Sequence, residues 1–415
     1  MSRRVLIIGG GGREHAIIKA LKRSPQQPKL FCSPGNAGIA ADAVILESEQ
    51  DTSSLVALAK REHVDLCIVG PEVPLVAGLV DALTEAGVRA FGPSQGAARL
   101  EGSKAVSKAF MKRRGIPTAN HETFTDLDAA LSYLETCLYP TVVKNSELAA
   151  GKGVTVAPTQ EQAEAAVRTI LPGGELVIED FLEGQEVSYL LFSDGQSFAP
   201  LLLAQDYKQA LDGDAGPMTG GMGTVCPAPL LTPEQQRFVE TQIVEPTLAG
   251  LRAEGSPFKG VLFIGLMVTS RDVKVLEYNV RFGDPETQVV LPLLETDLLD
   301  VFDAVIDERL AKTELKWRAA ATACVVMAAP GYPGSYPKDI PITLPDLPNQ
   351  VEILHAGTKR LGEQLVSSGG RVLNIVAGAD TLPEALKLAY ETVAATDFPG
   401  AHFRRDIGGR LQQGS

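Results

Sequence analysis

The sequence predicts a multidomain protein of α/β and α+β class. An N-terminal doubly wound parallel sheet is followed by a central domain of longer strands and a small C-terminal β-rich domain. Over the first hundred residues, short apolar runs alternate with stretches whose apolar residues recur at helical spacing. Beyond residue 104 the strands lengthen, and glycine-rich loops join strand to strand. From Ala319 onward, short strands alternate with Pro/Gly turns. A length of 415 residues accommodates about three domains of ordinary size.

The run "RVLIIG" reads as a strand and "REHAIIKALKR" as the helix after it. "KLFCSPGNAG", "AVILES" and "VDLCIVG" are further strands, each ending in a turn or loop, and "VAGLVDALTEAG" is a helix closed by Gly87 before "RAFG". Strands separated by helices imply a parallel sheet covered on both faces, which places a first domain at 1–103. "EGSKAVSKAFMKRRGIPT" is a helix stopped by Gly115 and Pro117. "TVVKNSELAAGKGVTVA", "EQAEAAVRTIL" and "ELVIEDFLEGQEVSYLLF" then give strand, glycine loop, strand, helix, strand. "FAPLLLAQDYK", "KGVLFIGLMVTS" and "DVKVLEYNVRF" supply longer strands, so a second domain spans 104–318. The third, 319–415, contains "TACVVMA", "VEILHAGTK", "RVLNIVAGA" and the helix "LPEALKLAYETVAA".

Composition narrows the function. Forty-five per cent apolar and 21 per cent charged residues are ordinary for a soluble chain. No apolar run reaches the ~18 residues of a membrane span. The start "MSRRVLIIGGGG" enters a strand without a signal-peptide layout, so the expected compartment is the cytoplasm. A net charge of −13 is the opposite of a nucleic-acid binder's balance. Anionic substrates must therefore be met by local donors. Five scattered cysteines without CxxC spacing, and five histidines without HExxH, suggest neither a disulfide framework nor a zinc site.

Several stretches carry chemistry. "VLIIGGGGREHA" imitates a dinucleotide fingerprint through Gly9 and Gly11, but Glu14 stands at the third glycine, which argues against NAD. Glycines at a strand-to-helix turn still point N–H groups at an anion. "SPGNAG" (Ser33 to Gly38) and "GPEVP" (Gly70 to Pro74) also leave strand ends, where ligands of open parallel sheets bind. A small phosphorylated ligand is favoured there over a bare turn. "VVKNSELAAGKGVTV" lacks the Walker pattern. It joins two strands and offers Lys144 and Lys152 to phosphates, although alone it reads as a β-hairpin with a mobile tip. "LVIEDFLEG" offers a hinge for an adenine edge. In "VLEYNVRFGDPETQ", strand alternation puts Glu277 and Asn279 on one face, a donor pair suited to Mg²⁺ bridged to phosphates, with Arg281 further along that face. The planar fork of Arg281 matches carboxylate or phosphate. "QDYKQALDGDAGPMTGGMG" has the glycine content of a functional loop.

These stretches, with "PGNAG", "VGPEVPLVAG", "FGPSQGAARLEGSKAVSK", "VIEDFLEGQE", "HAGTK", "GGRVLNIV" and "RRDIG", occur in the order found in one family. Over nearly its whole length the chain resembles the glycinamide ribonucleotide synthetase family of the ATP-grasp superfamily. The resemblance implies a central ATP-grasp domain that holds ATP between two sheets, with a lid subdomain at about 123–183. It implies ligation of glycine to 5-phosphoribosylamine through glycyl phosphate, with ATP becoming ADP and phosphate, in de novo purine synthesis. Lys104 and Lys144 are expected at the ATP phosphates under a loop of Gly151, Lys152 and Gly153. Glu179, Phe181 and Leu182 are expected as the adenine hinge, with Glu186 facing the ribose. Glu277 and Asn279 are expected to hold Mg²⁺ or Mn²⁺. Arg281 and Asp284 are expected to orient glycine or the acyl phosphate, with Asp206 and Lys208 nearby. Gly11, Glu14, Asn36 and Glu72 are expected on the phosphoribosylamine side.

The family commonly has "KADG" where Asn145, Ser146 and Glu147 follow Lys144, "QDHKR" where Tyr207 and Gln209 stand, and Asn at Met218. The loop between "VRTILPGG" and "ELVIED" is also short. These departures bear on ATP affinity and amine recognition more than on the reaction. Partners are expected to be small molecules, with no nucleic acid or membrane, in a monomer or weak homodimer. A different ATP-grasp ligase and a non-catalytic nucleotide-binding regulator are the rival readings.

Overall fold

The computed structural model describes residues 2–148 and 153–412. Its N-terminal sheet contains the five expected strands, Arg4–Gly9, Lys29–Pro34, Val44–Ile45, Leu66–Val69 and Arg89–Phe91, all parallel. The spatial order is third, second, first, fourth, fifth. The order reverses between the first and fourth strands, so the loops after Gly9 and Val69 open the crevice in which such sheets bind ligands. Val5, Leu6, Ile7 and Ile8 are all buried, as befits a strand covered on both faces.

The central domain is built on an antiparallel sheet of Phe198–Pro200, Gln185–Asp194, Lys259–Val268 and Val273–Asn279. A second antiparallel sheet, in the order His121–Phe124, Leu176–Asp180, Thr141–Asn145, Val154–Ala157, forms the segment expected as a lid. Helices Leu127–Leu134 and Gln160–Ile170 pack Ala130, Leu134, Ala163 and Val167 onto this sheet, giving the subdomain a core of its own.

The C-terminal sheet is antiparallel and differs from expectation in its origin. Its order is Gln205–Asp206, Gly223–Cys226, Ala321–Ala328, Arg371–Ala379, Val351–His355, so two of its five strands come from before residue 230. The run "FAPLLLAQDYK", expected as one strand, is two. Its first part pairs with Gln185–Asp194 and its second passes to the C-terminal sheet, because the chain changes partner sheet between Pro200 and Gln205. Helix Leu382–Ala395 covers this sheet. The N- and C-terminal domains are tied where the His355 N–H donates to His15 Nδ1 at 2.8 Å. That fixes the His15 proton on Nε2, 3.0 Å from Asp42.

Because this segment has a core of its own, it should be separable in stability. Leu134→Ala should cost about 2–4 kcal/mol locally. Amide exchange in Thr141–Asn145 and Leu176–Asp180 should accelerate while the N-terminal sheet keeps its protection. Equal acceleration in both would show that the lid does not open as a unit.

Candidate active site

The glycine-rich turn after Gly9 cradles an anion of its own. The Glu14 carboxylate accepts the Gly11 N–H at 2.7 Å and Arg13 Nε at 2.7 Å. A Cβ at Gly70 would lie 2.2 Å from Glu14 Oε1, and one at Gly9 would lie 2.7 Å from Glu14 Cδ. Glu14 thus fills the place that the third glycine of a dinucleotide fingerprint leaves open. It is 2% exposed, so it shapes the loop and offers little surface to a ligand. Asn36 is similarly spent on structure. Its amide donates to the carbonyls of Gly10 (2.9 Å) and His355 (2.8 Å) and accepts from the N–H groups of Gly38 and Ile39.

Above this turn lies an open cleft of about 410 Å³ lined by Gly11, Asn36, Asp284, Thr358 and Arg371 among others. The structure therefore brings Gly11, Asn36 and Asp284 together from distant parts of the chain. Arg371 and Thr358 were given no role from sequence, although both lie in the quoted stretches "GGRVLNIV" and "HAGTK". Arg371 Nη1 donates to the Asp284 carbonyl at 2.9 Å, and Nη2 lies 3.4 Å from its carboxylate. Burial alone would raise the Asp284 carboxyl, but Arg371 and Arg13 hold it below its ordinary value.

Glu277, Asn279 and Arg281 reach a common face by a route that plain alternation does not describe. Gly265 pairs with Glu277, and the next residue, Leu266, pairs with Val275, so Leu276 is an extra residue in its strand. Val273 and Val275 are buried before this bulge, Tyr278 and Val280 after it. Without the bulge, Glu277 would follow Val273 and Val275 into the core. Arg281 Nη2 then donates to Asn279 Oδ1 at 3.1 Å and pairs with Glu101 at 3.1 Å, while Nε lies 3.7 Å from Glu72. Glu72, expected on the amine side, thus meets Arg281. Glu101 was missed. It lies in a helix, Gln95–Gly102, whose other buried residues read as ordinary packing.

Four cations surround Glu277. Burial would raise its carboxyl, and Lys208, Lys144, Lys104 and Arg281 together keep it below its ordinary value. Lys104 opens helix Lys104–Arg114, capped by Ser103, and its N–H donates to the Ser146 carbonyl at 2.7 Å. Lys208 pairs with Glu186 at 3.2 Å. Asp206 lies beside Gly221, where a Cβ would come 2.7 Å from Asp206 Oδ1. Burial and the nearby Glu286 push the Asp206 carboxyl well above its ordinary value, against Lys208 and Arg371.

Glu179 is placed differently from a hinge side chain. It is 2% exposed, and its carboxylate pairs with both Lys144 and Lys108. Burial would raise it, and the two ammonium groups hold it below its ordinary value. Its side chain is turned into the lysine pair, while Phe181, 42% exposed, and Leu182 follow the strand end. Lys108 was missed by the sequence reading. Gly151 and Lys152 lie outside the described residues, and Gly153 accepts the Asn145 N–H at 2.7 Å.

The departures at 145–147 are accommodated. The Ser146 hydroxyl accepts the Ala105 N–H at 3.1 Å and donates to Glu175 at 3.1 Å. Glu147 is exposed, bridges Ser103, and its backbone stays out of the positive-φ region.

A sheet carrying carboxylate, amide and arginine on one face, a second sheet carrying lysine, and a parallel N-terminal domain define an ATP-grasp protein. Family models described as the N, ATP-grasp (A) and C domains of phosphoribosylglycinamide synthetase match residues 3–101, 102–287 and 322–410. The chain belongs to the phosphoribosylglycinamide synthetase family. It is 45% identical over 413 residues to the phosphoribosylamine–glycine ligase of Mesorhizobium japonicum, covering 97% of each chain. It is 47% identical to a trifunctional purine biosynthetic protein of Gallus gallus, spanning 99% of this chain and 42% of that one. The crystal structure of a phosphoribosylamine–glycine ligase from Thermotoga maritima matches with a TM-score of 0.85 at 34% identity, covering 97% of this chain and all of that one. A biotin carboxylase from Campylobacter jejuni shares the fold at a TM-score of 0.73, 16% identity and coverage of 97% and 93%.

Two outcomes follow from this geometry. Glu179→Gln leaves two buried ammonium groups with one neutral partner, so it should destabilise the protein by about 3–5 kcal/mol. Thermal unfolding checks this, and an unchanged Tm would show that the lysines repair the loss. Glu147→Gly should change the KM for ATP less than about threefold, or under ~1 kcal/mol. A fall in KM of tenfold would mean that this glutamate impairs the loop.

Proposed function

We propose that the cleft ligates glycine to 5-phosphoribosylamine through glycyl phosphate, with ATP becoming ADP and phosphate, as a phosphoribosylamine–glycine ligase of de novo purine synthesis. The observation that carries this assignment is the convergence of Lys104, Lys144, Lys208 and Arg281, which act together on the Glu277 carboxyl, with a cleft lined by Asp284 and Arg371. In a chain of net charge −13, this concentrates positive charge where phosphates react.

ATP lies between the two sheets, its base against Phe181 and Leu182, its ribose at Glu186 and its phosphates at Lys104 and Lys144. The planar guanidinium of Arg281 matches the glycine carboxylate. A glycine oxygen attacks the γ-phosphorus, the bond to the β-phosphate oxygen breaks, and ADP leaves. The amine of phosphoribosylamine then attacks the acyl carbon, phosphate leaves, and the nitrogen loses a proton. Positioning and charge neutralisation carry such transfers. Gly11, Asn36 and Glu72 shape the phosphoribosylamine side, together with Glu14 from behind the loop, and Arg371 closes it.

ATP-grasp enzymes use a divalent metal, and the residues present fit one. The Glu277 carboxylate is held ionised beside the neutral Asn279 oxygen, a set that ATP phosphates complete. Mg²⁺ or Mn²⁺ held there neutralises phosphate charge. The reaction takes place in the cytoplasm in a monomer or weak homodimer, with domains at 1–103, 104–318 and 319–415, the last completed by strands Gln205–Asp206 and Gly223–Cys226 of the second.

Sustained ADP release over many turnovers should require ATP, glycine and phosphoribosylamine together. Full turnover with either acceptor omitted would overturn the ligase reading, and tight ATP binding without turnover would favour a regulator. Glu277→Gln should still fold, with a lower Tm because Lys104 and its neighbours lose their counter-ion, and should lower product formation by orders of magnitude. Near-normal turnover at moderate Mg²⁺ would remove Glu277 from the metal site.

A further inference from the structure

We propose that Arg404, in the C-terminal domain, is a positioning residue for the turn that presents Asp206 and Lys208. The inference rests on the ligase reading of those two residues. Arg404 is 0% exposed. Its guanidinium lies over the Tyr207 ring, 5.0 Å from the centroid, and Nη1 donates to the Gln209 carbonyl at 3.1 Å. One side chain therefore grips the residue before Lys208 and the residue after it. Tyr207 is itself fully buried, so the stacked pair has no water to slide against.

The same fork closes the hairpin Gln209–Leu211/Ala215–Met218. Nη1 also donates to Asp214 at 3.0 Å, while Nε and Nη2 donate to the two oxygens of Asp406 at 2.7 and 2.6 Å. Asp406 in turn accepts the Gly213 N–H at 2.8 Å. Neighbours continue the seam: His402 Nε2 donates to the Ala210 carbonyl at 2.6 Å, and the Arg405 N–H donates to Asp212 at 2.7 Å. On the other side of the turn, Thr219 donates both its N–H (2.8 Å) and its hydroxyl (2.7 Å) to the Lys208 carbonyl. The Lys208 backbone is thus fixed from two directions, and its ammonium is aimed at Glu186 and the Glu277 ring of charge. A fixed fork can make these contacts at once, whereas a lysine can make only a fraction of them. None of the groups that Arg404 holds is assigned to the adenine base or the ATP phosphates, so loosening it should disturb chemistry more than nucleotide binding.

The test compares Arg404→Lys, Tyr207→Phe and Lys208→Met in the full chain by kcat, KM for ATP and Tm. Arg404→Lys should lower kcat at least about tenfold while the KM for ATP changes less than about threefold, since small misplacements of reacting groups are costly. Tyr207→Phe keeps the ring face and should retain kcat to within about threefold. A folded Arg404→Lys protein with wild-type kcat overturns the proposal, as does an equal loss of kcat and ATP affinity. Should Arg404→Lys not fold, Asp406→Asn replaces it, with an expected kcat loss of about threefold or more. Unchanged kcat in that variant overturns the clamp. If Lys208→Met keeps wild-type kcat, the ligase reading of Lys208 fails. If Lys208→Met is inactive while Arg404→Lys turns over normally, only the clamp fails.

Discussion

The extra residue Leu276 governs where the charges of the central domain point. Strand Val273–Asn279 is an edge strand of the central sheet, and its first valines point into the core. A regular pleat would carry Glu277 into that core, where an isolated carboxylate is severely destabilising. The bulge reverses the phase once, so Tyr278 and Val280 take the buried places and Glu277, Asn279 and Arg281 turn to the cleft. The bulge sits opposite Gly265, and a Cβ there would touch the Glu277 side chain at 3.4 Å, an ordinary contact.

Once Glu277 faces the cleft, much of the electrostatics follows from it. Lys104 comes from a helix N-terminus, Lys144 from the lid sheet, Lys208 from the turn shared with the C-terminal sheet, and Arg281 from the end of the same strand. Burial lowers the affinity of Lys104 for its proton, and Glu277 works against that. Glu277 favours the charged form of each cation, while Lys144 and Lys104, being alike in charge, oppose one another. The Lys108–Glu179–Lys144 cluster repeats the principle one layer deeper, with a carboxylate between two ammonium groups.

The three domains meet at small residues. A Cβ at Gly12 would lie 2.4 Å from Asn374 Nδ2 and 2.7 Å from Gln288 Nε2, so the N-terminal helix docks on polar groups of the other two domains. Gln288 also donates to Asp284 at 2.7 Å, which links that junction to the cleft. Four hydrogen bonds from His402, Arg404, Arg405 and Asp406 to the 209–213 segment then bind the C-terminal domain to the turn that carries Asp206 and Lys208.

By itself the sequence determined the elements whose signals are local. The N-terminal strands and helices, the glycine connection between Thr141–Asn145 and Val154–Ala157, and the polar face of "EYNVR" are all legible, because apolar periodicity and turn residues act over a few positions. Only the tertiary structure decided the rest. Arg371, Glu101, Lys108 and Arg404 look like ordinary charged residues in a string of letters. Their roles arise from partners 71 to 195 residues away, such as Glu179 for Lys108 and the Gln209 carbonyl for Arg404. The split of "FAPLLLAQDYK" between two sheets and the inward turn of Glu179 have the same origin. Which sheet a strand joins, and which charge a carboxylate meets, depends on what packs beside it, and no local pattern contains that information.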